Sequence, residues 1–127
     1  MMIVEFILYV ENQALSRDFY SQVLGMAPTL DVPGMTAFLL GPACKLGLMP
    51  ASGIAKIITP ALPHPSTGAG IPRCELYLLL PGVEAIDARA ALAGATLVDA
   101  LAPRDWGDRV SYWADPDGHV LAFAERM

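Results

Sequence analysis

The sequence predicts an α+β protein, built as two tandem βαβββ modules that form a curved mixed sheet around a concave cavity. Three observations lead there. Strand-like and helix-like segments recur in the same order in the two halves of the 127 residues. The 11 Gly and 11 Pro follow no fixed period and gather between those segments, which sets aside collagen and a plain helical bundle. Apolar residues make up 54% and charged residues 17%, too much core-forming material for a disordered tail.

In the first half, Ile3 to Val10 is a β-rich run. Asn12 is placed to cap a helix from Gln13 to Leu24 that puts Leu15, Phe19 and Val23 on one face, and Gly25 stops it. Leu30 to Val32, Met35 to Leu40 and Cys44 to Met49 read as strands, separated by Pro33-Gly34 and Gly41-Pro42-Ala43. Ala51 to Ile58 is ambiguous. Residues 59–72 contain Pro60, Pro63, Pro65 and Pro72 with Gly68 and Gly70, a composition that holds neither ladder nor helix. That connector divides a single domain, 1–127, into half-repeats 1–58 and 73–127.

The second half repeats the order. Arg73 to Leu80 is a strand, Val83 to Ala93 a helix with Val83, Ile86 and Ala90 inward, and Gly94 its stop. Thr96 to Leu101, Asp108 to Trp113 and His119 to Glu125 follow as strands, the last two joined by the turn Asp115-Pro116-Asp117-Gly118. Glu5 to Gly25 spans 20 positions and Glu75 to Gly94 spans 19, a match that reads as an internal duplication.

Eight Lys and Arg against 13 Asp and Glu give a net charge of -5, and the cations never cluster, so nucleic acid is not an expected partner. No apolar run approaches the ~20 residues of a membrane span. Met1-Met2 lacks the flank and cleavage site of a secretory leader, and a cytoplasmic location is expected. Cys44 and Cys74 lack metal or redox spacing and lie in apolar strand-like runs, which predicts two free, buried thiols rather than a disulfide.

Strand phase supplies the sharpest functional signal. Side chains alternate along a strand, so Val4, Phe6, Leu8 and Val10 share one face while Ile3, Glu5, Ile7 and Tyr9 share the other. In the repeat the sets are Cys74, Leu76, Leu78, Leu80 and Arg73, Glu75, Tyr77, Leu79. The first set suits the underside of a helix, and the second faces the concave side. Each concave set carries one Glu among apolar or aromatic groups, where an ionised carboxylate must be solvated, protonated, ion-paired or metal-bound. Solvation at a wet sheet end, or pairing of Glu75 with Arg73, competes with a catalytic role for both. If one cavity held both, one carboxyl would titrate high unless a cation such as Arg73 lay between them.

The stretch FILYVENQALSRDFYSQVLGM resembles the opening of the vicinal oxygen chelate superfamily, which holds glyoxalase I, bleomycin-resistance proteins, fosfomycin-resistance enzymes and extradiol dioxygenases. The second half is similar to that family's second module, and YWADPDGHVLAFAER resembles its closing hairpin. The resemblance implies four ligand positions, one on the first and one on the last strand of each module. They fall on Glu5 and Glu75, approximately on Gly47, and on Ala122. Gly and Ala supply no ligand, and two Glu alone would hold a hard divalent ion only with several waters, so no tight catalytic metal and no required cofactor is expected. His119 follows the DPDG turn, a place the family fills for turn geometry, and His64 belongs to the connector.

Arg104-Asp105-Trp106-Gly107-Asp108-Arg109 reads either as an ion-paired loop or as a pocket rim, with Trp106 stacking on a ligand while Arg104 or Arg109 meets an anionic group. Met35, Met49, Tyr77 and Phe123 are core or cavity wall. The resemblance implies a homodimer whose concave faces bind a small, substantially apolar organic ligand without obligatory metal. The alternative is a glyoxalase-like lyase or isomerase of the lactoylglutathione lyase type, in which a divalent ion polarises a carbonyl and Glu5 or Glu75 moves a proton.

Overall fold

A computed structural model describes residues 2–127. The chain groups into two units, one reaching to Ala69 and one comprising Gly70–Met127, which also takes in Gln22–Leu24. Each unit holds a four-stranded mixed sheet, and the whole is an α+β fold with three α-helices. No helix among the described residues is long and apolar enough to cross a membrane.

The first unit runs β1 (Val4–Val10), α1 (Gln13–Leu24), β2 (Leu30–Val32), β3 (Met35–Gly41), β4 (Cys44–Pro50) and α2 (Ala51–Ile58), with strand order β1-β4-β3-β2. Asn12 caps α1 as expected, its Oδ1 accepting the Leu15 N–H at 3.0 Å, and Gly25 ends it in the left-handed region at φ +67°. The buried stripe of α1 is Ser16, Phe19, Tyr20 and Val23, whereas Leu15 is 52% exposed. The expected face was right at Phe19 and Val23 and wrong at its first residue, because the i, i+3, i+4, i+7 set is rooted on the small Ser16. Gln13 anchors the helix to the sheet: its Nε2 donates to Val32 O at 2.8 Å and Thr36 Oγ1 at 2.9 Å, and its Oε1 accepts from Gly34 N–H.

Ala51–Ile58, ambiguous in sequence, is helix α2. Ile54 and Ala55 bury against the unit while Ile57 stays 76% exposed. The connector holds only a short 3-10 turn, Pro65–Gly68, with His64 Nδ1 accepting the Ser66 N–H at 3.1 Å.

The second unit runs β5 (Glu75–Leu79), α3 (Val83–Leu92), β6 (Thr96–Pro103), β7 (Asp108–Ala114) and β8 (Val120–Arg126), ordered β5-β8-β7-β6. Val83, Ile86 and Ala90 are buried on α3 as expected. Between β7 and β8, Asp115 Oδ1 accepts the N–H groups of Asp117 and His119 at 2.9 and 2.8 Å, and Gly118 takes φ +85°. This is the turn chemistry that DPDG predicts. Both cysteines are free, but both are exposed rather than buried. Cys44 opens β4 and Cys74 precedes β5, so each stands at a strand end where packing thins.

Candidate functional site

The ladder registers fix which side chains share a face. In the first unit Glu5 pairs with Lys45, Ile7 with Gly47 and Tyr9 with Met49 in the parallel β1–β4 ladder, and Ala37 pairs with Gly47 across β3–β4. Thr36 and Phe38 lie on the other face, toward α1, since Gln13 bonds Thr36. The open face of this unit is therefore Glu5, Ile7, Tyr9, Met35, Ala37, Lys45, Gly47 and Met49.

The second unit repeats the registers residue for residue. Glu75 pairs with Val120, Tyr77 with Ala122 and Leu79 with Ala124, while Tyr112 pairs with Ala122 and Val110 with Ala124 across β7–β8. The helix side is marked by Ser111 and Trp113, whose Oγ and Nε1 donate to Asp87 Oδ1 on α3 at 2.5 and 2.9 Å. In register Glu5 corresponds to Glu75, Ile7 to Tyr77, Gly47 to Ala122, Ala37 to Tyr112 and Thr36 to Ser111.

Each sheet thus places its Glu diagonally across from a residue without a donor. A Cβ added at Gly47 would come within 2.9 Å of Ile7 Cγ1 and 3.5 Å of Glu5 Cγ and Cδ, so the Glu5 side chain lies along the space that Gly47 leaves. Ala122 is fully buried, flanked on either side by Tyr77 and Tyr112. Glu5 and Glu75 are both exposed, and Arg73, which precedes β5, makes no ion pair with Glu75. No group of three His, Cys, Asp or Glu among the described residues is placed to hold a metal ion. A resident metal of the kind the fold admits does not fit this donor set: a carboxylate facing Gly in one half and Ala in the other offers too few side-chain ligands.

The second open face is aromatic and its polar atoms are ordered. Trp106 Nε1 donates to Tyr77 Oη at 2.9 Å, and Tyr77 Oη donates to Asp108 Oδ2 at 2.6 Å. Partial desolvation, then the carboxylate that accepts its proton, hold the Tyr77 phenol above its ordinary range. Beneath lies a floor of Val110, Ala122 and Ala124, all fully buried, with Tyr112 packed on it. An open surface recess beside β5 is lined instead by Leu79, Leu80, Pro81, Glu125 and Arg126.

Three nominated residues are engaged within the fold. Phe123 is fully buried and pairs with Leu78 on the helix side, so it is core. Arg104 spends its guanidinium on Asp99, Ala100 O and Val110 O, and lies 5.1 Å from the Tyr112 ring centroid. Arg109 is spent on Glu125 and Glu84. Tyr112 and Asp108 were not nominated, although the DPDG turn contains the signal: a hairpin centred there sets Tyr112 opposite Ala122.

Two βαβββ units with matching registers and Glu at the start of each sheet define a glyoxalase-type fold. The chain belongs to the Glyoxalase/Bleomycin resistance protein/Dioxygenase superfamily, whose family model matches residues 2–123. It is 31% identical over 120 residues to an uncharacterized protein of Mycobacterium bovis, covering 88% of this chain and 75% of the relative. Its fold is similar to the crystal structure of a glyoxalase/bleomycin resistance protein/dioxygenase family enzyme from Burkholderia phytofirmans PsJN, with a TM-score of 0.83 at 16% identity and full coverage of both chains. It is also similar to a glyoxalase-related enzyme from Fulvimarina pelagi, with a TM-score of 0.82 at 19% identity over 98% of this chain and 88% of that one.

Proposed function

We propose that the chain binds a small, mainly apolar organic molecule on its open sheet faces, without an obligatory metal, and works as a homodimer in the cytoplasm. The observation that carries this reading is the pair of small, buried residues, Gly47 and Ala122, at the register position where a last-strand ligand would stand. The small residue takes away a donor in both units and leaves a floor that Ile7 and Glu5 cover in the first and that lies between Tyr77 and Tyr112 in the second. Exposed Tyr9, Tyr77 and Trp106, with half-buried Met35 and Met49, supply apolar area beside those floors. Glu5 and Glu75 serve as polar edges of the site.

The test is binding of an apolar probe, ethylbenzene, to protein stripped with EDTA, followed by NMR through the methyl of Ala122 and the indole N–H of Trp106. Saturable shifts unchanged by metal removal support the reading. Hemithioacetal turnover that appears only on adding zinc, nickel or manganese would replace it with the lyase.

A further inference from the structure

We infer that Tyr112 is the hydrogen-bond donor of the second open face, and that the ligand accepted there carries a neutral acceptor oxygen such as a ketone or amide carbonyl; this rests on the ligand-binding reading above.

Two phenols flank Ala122 in the same row of the sheet, one from β5 and one from β7, so each stands about 4.8 Å of strand spacing from the floor residue. Their hydroxyls differ in what they have left to give. The Tyr77 proton is committed to Asp108 at 2.6 Å, and one Tyr77 oxygen lone pair is committed to Trp106 at 2.9 Å. Among the described residues Tyr112 makes no hydrogen bond through its hydroxyl. It is half-buried, yet the only buried side-chain polar atom without a partner among the described residues is Ser16 Oγ, so the Tyr112 hydroxyl reaches solvent. A phenol with a packed ring and an unspent O–H offers one directional donor to whatever enters.

Its position is fixed from two sides. The ring rests on Val110, Ala122 and Ala124. Its other flank meets the Arg104 guanidinium at 5.1 Å, and that group is itself pinned by Asp99, Ala100 O and Val110 O. A donor held this way keeps its direction without losing rotamer freedom on binding. The surrounding charge selects the acceptor. Asp108 has Arg126 as its ladder partner on the same face, and the cation beside Tyr112, Arg104, is matched by Asp99 and spent on Ala100 O and Val110 O, so an anionic ligand finds no unspent cation at the Tyr112 hydroxyl, where a neutral carbonyl needs only the phenol O–H.

The test uses three probes of similar size, acetophenone, ethylbenzene and benzoate, titrated into the EDTA-stripped full chain with the Ala122 methyl and Trp106 indole N–H as reporters. Acetophenone should bind about five-fold tighter than ethylbenzene, the size of one neutral hydrogen bond, and benzoate more weakly than acetophenone. Tyr112→Phe should erase the ketone's advantage while leaving ethylbenzene affinity unchanged. Equal affinities for ketone and hydrocarbon in the unaltered chain, an undiminished preference in Y112F, or tighter binding of benzoate would each overturn the assignment while leaving the ligand-binding reading standing. Failure of every probe to move either reporter would bring down both.

Discussion

Arg109 and Glu125 are direct partners in the β7–β8 ladder, and the Arg109 Nε donates to Glu125 Oε2 at 2.9 Å while its terminal nitrogen reaches the same oxygen. The other Glu125 oxygen accepts the Gly82 N–H at 2.6 Å, and Glu84 on the first turn of α3 joins Arg109 at 2.5 Å. One guanidinium therefore ties the entry of α3 to two strands. Arg109, followed by the Gly82 amide, holds Glu125 below the ordinary glutamate value of 4.5. Glu84 is lowered as well, by its own backbone N–H and then by Arg109.

A folded-state value below the unfolded one means the unfolded chain binds more protons in that window. The stability from these groups is complete above pH 4.5 and is lost as pH falls through the depressed values. Melting temperature against pH should therefore fall steeply below pH 4.5 in the unaltered protein and less steeply in Glu125→Gln. Parallel curves would show that the clamp does not govern acid unfolding.

Asp87 satisfies two groups beneath α3, the Ser111 hydroxyl and the Trp113 indole N–H, and Ser111 is fully buried. Asp87→Ala leaves the Ser111 hydroxyl without its acceptor and the Trp113 N–H with only Ser111 Oγ at 3.3 Å, a loss of about 1–3 kcal/mol for the one abandoned group. Chemical denaturation should measure it. Emission from Trp113 should shift in the same variant, because its N–H loses a charged acceptor and keeps only the Ser111 hydroxyl. A change under about 0.5 kcal/mol, the range of an ordinary surface substitution, would mean that Asp87 is not the anchor.

What could be read from the sequence was what local chemistry encodes. Asn12 and Gly25 bound α1 to the residue, and Asp115 with Gly118 set the last hairpin. The repeated Glu phase located both sheet starts. The rest depended on partners distant in sequence. Phe123 falls on the helix side because β8 pairs it with Leu78, 45 positions earlier. Arg104 is consumed by backbone carbonyls at a bulge in β6, and carbonyl positions leave no mark on composition. α2 is an eight-residue apolar segment, too short for periodicity to separate helix from strand.

Gly47 has no room for a methyl, since a Cβ there would stand 2.9 Å from Ile7 Cγ1. Gly47→Ala should destabilise by about 1–2 kcal/mol, the ordinary cost of one methyl group too many in a packed site. Ile7→Ala removes the obstructing carbon, so Gly47→Ala should cost less in that background. A double-mutant cycle in urea measures the coupling, and strict additivity would locate the strain elsewhere.

The proposed homodimer rests on what the single chain leaves uncovered. Val4 and Phe6 on β1, an edge strand, are 50% and 46% exposed, although both belong by register to the helix-facing side of the sheet. Apolar groups grouped on an edge mark a contact surface more often than a solvated one. Sedimentation equilibrium at micromolar concentration should return twice the 13.5 kDa of the chain. Phe6→Glu should shift the mass toward 13.5 kDa without loss of the circular dichroism spectrum. A monomer in the unaltered protein would remove the homodimer.

Glu5 and Glu75 bear on metal dependence through what stands beside them. Lys45 is the register partner of Glu5 and Val120 that of Glu75, and the next residues along those strands on the same face are Gly47 and Ala122. Each carboxylate therefore has an ammonium, a methyl-bearing group or bare backbone where a second oxygen or nitrogen donor would be needed. A single monodentate carboxylate leaves a zinc or manganese ion mostly to water, and such binding is weak. Calorimetric titration of the stripped protein with zinc, nickel and manganese should show no stoichiometric tight uptake, and acetophenone affinity should be the same before and after the ions are added. Glu5→Gln and Glu75→Gln should fold normally, because both sites are exposed. Tight uptake of one ion per chain that disappears in either Gln variant would establish a metal site built on that carboxylate and would replace the proposed metal-free binding with the metal-dependent lyase.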